Sequence, residues 1–193
     1  MSVPDRILFR RVVAIALTEA APLTAALGLT GEALERLLHT YFPESPVFPS
    51  SGSGPGEDAL EEPDLRAWLL EFRAGRGEEE EWLAAILARR CQRPNHLWQD
   101  LGLADRAELN TLFQRHFPAL ARLNRSNMKW KKFFYRQLCE REGIPVCKAP
   151  NCAVCADVAL CFGPESGEPL TALAGLSRMG RGVSDSRQSV GAR

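Results

Sequence analysis

The sequence predicts an all-α fold, a helical bundle with a C-terminal cysteine-rich metal-cluster loop, and three observations carry that expectation. Apolar residues recur at three- and four-residue spacing through most of the chain, the period of a helix with one buried face. No stretch sustains the alternation of apolar and polar positions, enriched in β-branched residues, that marks a half-buried strand. Four cysteines also fall within fifteen residues, Cys147-x4-Cys152-x2-Cys155-x5-Cys161, a density suited to wrapping metal and of little use for packing.

Leu8, Val12 and Ile15, with Glu19 one turn on, describe an amphipathic first helix. An export signal starting at Arg10-Arg11 is the weaker reading, because the apolar run Val12–Leu17 is six residues against about 7–15 for such signals and Glu19 interrupts its continuation. Thr30 is placed to cap a helix carrying Leu34, Leu37, Leu38 and Tyr41, which Pro43 closes. Residues 44–63, with Pro46, Pro49, Pro55 and a Ser/Gly run, predict a linker between an N-terminal helical pair (1–43) and a helical domain (64–169) that contains the loop 147–161. A weak repeat crosses that linker: Leu27-Gly28-Leu29 through Phe42-Pro43 parallels Leu101-Gly102-Leu103 through Phe117-Pro118. Each copy reads as a helix, a turn at the glycine and a second helix ending at Phe-Pro. One long helix is expected from about Leu120 to Glu142, stopped by Gly143 and Pro145, and residues 170–193 are expected to form a flexible tail.

With 193 residues, zero formal net charge and 45% hydrophobic content, the composition excludes the disordered and membrane classes and allows a core that needs no metal staple. No apolar run spans a bilayer. The expected address is cytoplasmic, where six cysteines read as metal ligands or free thiols rather than disulfides. Charge is uneven: residues 57–82 hold ten acidic and three basic side chains, and residues 121–148 hold eight basic and two acidic ones, which predicts two faces of opposite sign.

Four thiolates close a tetrahedral zinc site or hold the irons of a cubane, one per iron. Structural zinc sites usually join two separated Cys-x2-Cys knuckles, whereas here one such pair is flanked by single cysteines. The x4, x2 spacing is that of the first three ligands in plant-type ferredoxins. An iron-sulfur cluster is therefore favoured on Cys147, Cys152, Cys155 and Cys161, with zinc, a disulfide or inert thiols as alternatives. Pro145 and Pro150 hold the backbone out of helix, and Ala149, Ala153, Ala156 and Ala159 let backbone amides approach bridging sulfides. Lys148 is placed to offset cluster charge. Asp157 reads as a solvated carboxylate before a hard ligand. Cys91 and Cys139 read as packing thiols on helices, and His96 and His116 as helix-end residues before ligands.

Next to the loop, Trp130, Phe133, Phe134 and Leu138 form one helical stripe expected in the core, with Asn124, Arg125, Lys129, Lys131, Lys132 and Arg136 over the remaining surface. This basic face reads as a plain solvated surface, as a site for an anion or a partner protein, or as a nucleic-acid contact, the last disfavoured by net neutrality and the lack of a second basic stretch.

Together, Arg93-Pro94-Asn95-His96-Leu97-Trp98-Gln99-Asp100-Leu101-Gly102-Leu103, Arg115-His116-Phe117, the segment Asn127 to Arg136 and the cysteine loop with Phe162-Gly163 after it resemble the NifQ family of nitrogen-fixation proteins. The likeness covers about residues 82–169. The resemblance implies an iron-sulfur molybdenum carrier, not an enzyme, that donates molybdenum for biosynthesis of the nitrogenase iron-molybdenum cofactor. It implies a cluster of 4Fe-4S or Mo-Fe-S type on Cys147, Cys152, Cys155 and Cys161. Its implied partners are a molybdate source and the nitrogenase cofactor-assembly scaffold complex with associated nitrogenase proteins. Lys129, Lys131 and Lys132 beside the loop are then expected to attract molybdate or dock an acidic partner. The competing readings are an iron-sulfur redox-sensing DNA-binding regulator and a structural zinc scaffold. The regulator needs a basic recognition helix, and the helices around Leu34–Tyr41 and Leu109–Phe117 offer only Arg36 and Arg115 as full cations.

Overall fold

The computed structural model of the protein describes residues 4–44, 54–145, 147 and 151–170. Residues 171–193 of the expected tail, residues 45–53 of the linker, and Lys148, Ala149 and Pro150 lie outside them. The described residues form helices and no strand: α1 (Asp5–Ala16), α2 (Leu23–Leu27), α3 (Gly31–Tyr41), α4 (Glu62–Glu71), α5 (Glu79–Cys91), α6 (Leu97–Asp100), α7 (Arg106–His116), α8 (Pro118–Leu123), α9 (Trp130–Arg141) and α10 (Val158–Phe162), with a 3-10 turn at Cys152–Val154. None of these helices is long and apolar enough to cross a membrane.

The faint repeat of the sequence is a repeat of structure. In the first unit α2 ends at Gly28, φ +67°, and in the second α6 leads into Gly102, φ +70°. The left-handed glycine turns the chain so that Leu29 N–H donates to the Thr24 carbonyl at 3.0 Å and Leu103 N–H to the Trp98 carbonyl at 2.8 Å. A side-chain oxygen then caps the next helix, Thr30 from Ala33 N–H and Asp105 from Glu108 N–H. Both helices end on a phenylalanine of nearly the same conformation, Phe42 at φ −137°, ψ 50° and Phe117 at φ −135°, ψ 57°. The units pack reciprocally. A Cβ on Gly28 would lie 3.1 Å from Arg89 Cβ and 3.3 Å from the Ala85 carbonyl of α5, and one on Gly102 would lie 2.9 Å from Ile15 Cδ1 and 3.1 Å from the Arg11 carbonyl of α1. Positions 11 and 15 of the first unit match 85 and 89 of the second, so each turn glycine sits on the other unit's first helix. The polar links obey the same exchange: Asp5 meets His116 Nε2 at 3.0 Å, and Glu79 accepts from Tyr41 Oη at 3.1 Å. Two hairpins related by an approximate two-fold thus form the body of the molecule.

Both sides of the 44–63 linker contribute to one core. Phe9 of α1, Leu34 and Leu37 of α3, Trp68 of α4, Ile86 of α5, Phe113 of α7 and Phe134 of α9 all belong to it. Leu8, Val12 and Ile15 are buried, which bears out the amphipathic first helix. Buried Arg89 holds the described end of the linker, donating to the Pro55 carbonyl at 2.9 Å and pairing with Asp58 at 3.1 Å and Glu62 at 2.7 Å. Glu19, just past α1, pairs with Arg90 and Arg93 at the end of α5.

Two expectations are corrected. The helix expected from Leu120 to Glu142 is broken between α8 and α9, because Asn124, a buried side chain, accepts from Met128 N–H at 2.8 Å and donates to the Met128 carbonyl at 2.9 Å. Asn127 takes φ +54° in the same turn, and no helical period registers a side chain that replaces helix bonds. The two faces of opposite sign are partly cancelled internally: Glu62 is spent on Arg89, Glu80 accepts Gly75 N–H at 2.6 Å, and Glu71 of the acidic stretch pairs with Arg141 of the basic one at 2.9 Å. Beyond the break, Trp130, Phe133 and Phe134 are buried as expected, Leu138 partly so. Trp130 stacks on Phe113 at 3.8 Å and donates Nε1–H to Asn110 at 2.8 Å, fixing α9 against α7.

Candidate metal centre

The cysteine segment begins where α9 stops. Glycine at position 143, φ +69°, ends the helix, with Ile144 N–H on the Cys139 carbonyl at 2.8 Å. Asn151 caps the 3-10 turn by accepting Ala153 N–H at 3.0 Å, and Cys155 N–H and Val158 N–H close the next turns onto the Cys152 and Cys155 carbonyls. Cys161 lies on α10 rather than in irregular loop, and its carbonyl accepts Lys129 N–H at 2.8 Å. Gly163 ends α10 on the Ala159 carbonyl at 2.8 Å, and a Cβ there would lie only 2.5 Å from that oxygen. The position therefore needs glycine for space.

A strap continues back across the body. Glu165 meets Arg106 Nη1 at 2.8 Å, and the Glu168 carbonyl accepts from Gln99 Nε2 at 2.9 Å. Arg106 also donates to the Asn127 carbonyl at 2.9 Å and the Met128 carbonyl at 2.6 Å. One guanidinium at the start of α7 thus ties together the turn before α9 and the strap after Cys161. Nothing in the periodicity singles out Arg106 or Glu165, since their partners are distant in sequence.

The free thiols of Cys147, Cys152, Cys155 and Cys161 line one cleft of about 440 Å³, with Met128, Lys132, Tyr135 and Arg136 of the α9 side and Asp157, Val158, Leu160 and Phe162 of the loop side. Cys147 and Cys152 are exposed and Cys155 and Cys161 half-buried. Among the described residues no three His, Cys, Asp or Glu side chains stand close enough to hold a metal ion. The thiols surround the cleft without converging. Their chemistry nonetheless fits a soft metal or an iron-sulfur cluster, because all four line the same space and none is consumed by a disulfide.

The other candidates lie elsewhere. Burial pushes the Cys91 thiol up to about 12, which leaves it a packing group. Cys139 lines a separate groove with Trp68 and Glu71. His116 is buried against Asp5, and His96 precedes α6 with its ring parallel to Trp98 at 6.5 Å and 3.7 Å from Glu165. Neither histidine lines the thiol cleft. Lys131, expected on the surface, turns inward: its Nζ binds Asp100 at 2.6 Å and the Arg93 carbonyl at 2.5 Å.

A sequence model of the family described as NifQ matches residues 8–163 of this chain. The match takes in the N-terminal helices, outside the 82–169 span of the motif likeness. The chain is 41% identical over 170 residues to "Protein NifQ homolog" of Sinorhizobium fredii, covering 85% of this chain and 74% of that protein. It is 42% identical over 152 residues to "Protein NifQ" of Azotobacter vinelandii, covering 72% and 78%, and 43% identical over 149 residues to "Protein NifQ" of Rhodobacter capsulatus, covering 75% and 79%. No solved structure matches it.

Proposed function

Because the chain belongs to the NifQ family, we propose that it is a molybdenum carrier of nitrogen fixation, which holds molybdenum at an iron-sulfur centre and donates it for assembly of the nitrogenase iron-molybdenum cofactor. The observation that carries the proposal is the set of four free thiols around one cleft. Cys147, Cys152, Cys155 and Cys161 are the ligands. An iron-sulfur cluster on them would supply sulfide donors, the soft ligands suited to holding molybdenum after it has left its oxyanion form. The protein's own part is to hold and release. Arg106 and Glu165 fix the loop's far end, and Lys129 N–H fixes the Cys161 carbonyl. Release to the cofactor-assembly scaffold complex and its associated nitrogenase proteins requires no bond-making catalysis by a side chain, so the role is that of a carrier in a reducing, cytoplasmic setting.

The DNA-binding alternative gains no support. Arg36 of α3 is paired with Glu32 and Glu78, and Arg106 and Arg115 of α7 with Glu165 and Asp5, so the arginines of both second helices are committed to carboxylates. The test is quantification of iron, molybdenum, zinc and acid-labile sulfide on anaerobically purified protein. Iron and sulfide with molybdenum after molybdate supply are expected; zinc alone, with neither iron nor sulfide, sinks the proposal.

A further inference from the structure

The cations of α9 and the turn before it do not share one fate, and their sorting identifies how anionic cargo reaches the thiols, an inference that rests on the carrier reading. Lys131 is spent on Asp100, and Lys129 lays its Nζ 3.4 Å from the Ala159 carbonyl. Lys132 and Arg136 instead line the thiol cleft. They stand one turn apart on α9, which puts their Cβ atoms roughly 5–6 Å apart on one face. Lys132 is exposed and has no hydrogen-bond or ion-pair partner among the described residues. Arg136 commits its Nε to Glu140 at 2.6 Å, and no partner is seen for its terminal nitrogens among the described residues. Glu140 holds the guanidinium above its ordinary value, and the cation lines the same cleft as the four thiols.

An anionic cargo approaching thiolates meets like charge, and a cleft that receives it needs cations on the opposite wall. A lysine supplies a compact charge and an arginine a planar fork of donors, a combination suited to a tetrahedral oxyanion. We infer that Lys132 and Arg136 form an oxyanion-receiving subsite on the wall of the thiol cleft, which holds a dianion of the molybdate class beside the cysteines. Only association occurs there: no bond of the oxyanion breaks and no electron moves.

Equilibrium dialysis of the anaerobically purified full chain against labelled molybdate tests this, with tungstate, sulfate and phosphate as competitors and with iron and sulfide measured on the same samples. Retained molybdate should fall about fivefold in K132Q and in R136Q, the upper end of one exposed ion pair's effect, and further in the double variant. K132R and K129Q should retain it, added salt should weaken it, and iron and sulfide should stay at wild-type levels. Unchanged retention in the double variant overturns the subsite and, with iron and sulfide intact, leaves the carrier reading standing. Loss of iron and sulfide in parallel with molybdate shows that the two cations serve only the cluster's charge, and overturns it too. Sulfate and phosphate competing as well as tungstate mark a general anion patch and overturn the assignment to the molybdate class. A wild-type chain without iron or sulfide counts against the carrier reading, while the same variants still decide the subsite.

Discussion

Lys131 and Lys132 are neighbours in sequence and opposite in use. Asp100 is buried, and Lys131 is the cation that neutralises it, with Asn95 Nδ2 at 2.9 Å as its other partner. Lys131→Ala should therefore cost about 3 kcal/mol, since removing one partner strands a buried charge, and Lys132→Ala should stay within about 0.5 kcal/mol. Urea unfolding checks both; a loss under about 1 kcal/mol for Lys131→Ala would contradict the buried pair. The basic-aromatic pattern was legible in the sequence, and so was its apolar stripe. What the helical period could not supply is the direction of each lysine, because the partner of Lys131 lies in α6, beyond the reach of any local pattern. The thiols were legible for the converse reason. A cluster of cysteines announces itself by type and spacing, and the four do line one cleft, whereas Arg106 and Glu165 are ordinary residues until the fold brings them together.

At the scale of elements, the turn glycines and the strap make separate demands. Gly28→Ala and Gly102→Ala should each destabilise by about 2 kcal/mol, because both sit at positive φ where a Cβ is strained and both press on the opposing unit's first helix. Thermal unfolding tests the pair, and a neutral result at either position would contradict the reciprocal packing. Arg106→Gln should raise proteolysis across residues 163–168 and lower iron per chain, with Arg106→Lys restoring part of it, because Glu165 loses its cation and the turn at Asn127–Met128 loses two donors. Wild-type iron in Arg106→Gln would show that the strap does not position the loop. Leu-Gly-Leu and Phe-Pro marked the hairpins correctly, since glycine and proline act locally. The break between α8 and α9 escaped because a buried asparagine, not a glycine or proline, ends the helix.

Across the whole molecule, one core joins the hairpins to α4 and α9, and a thiol buried in it together with a half-buried phenol of α9 gives stability a pH signature. Burial raises the Cys91 thiol from 9.0 to about 12 and the Tyr135 phenol from 10.0 to about 12. The folded chain thus keeps protons that the unfolded chain surrenders, so stability should be full below about pH 9 and fall as pH rises toward 12. Urea midpoints between pH 7 and 11 should decline less steeply in Cys91→Ala; an identical slope would contradict the assignment. Iron content of single cysteine-to-alanine variants, purified without oxygen, decides whether the four cysteines around the cleft hold a cluster. Loss of bound iron in Cys147→Ala, Cys152→Ala, Cys155→Ala and Cys161→Ala, with iron kept in Cys91→Ala and Cys139→Ala, is the predicted result. Wild-type iron in any two of the first four, or its loss in Cys91→Ala while the fold persists, would contradict it.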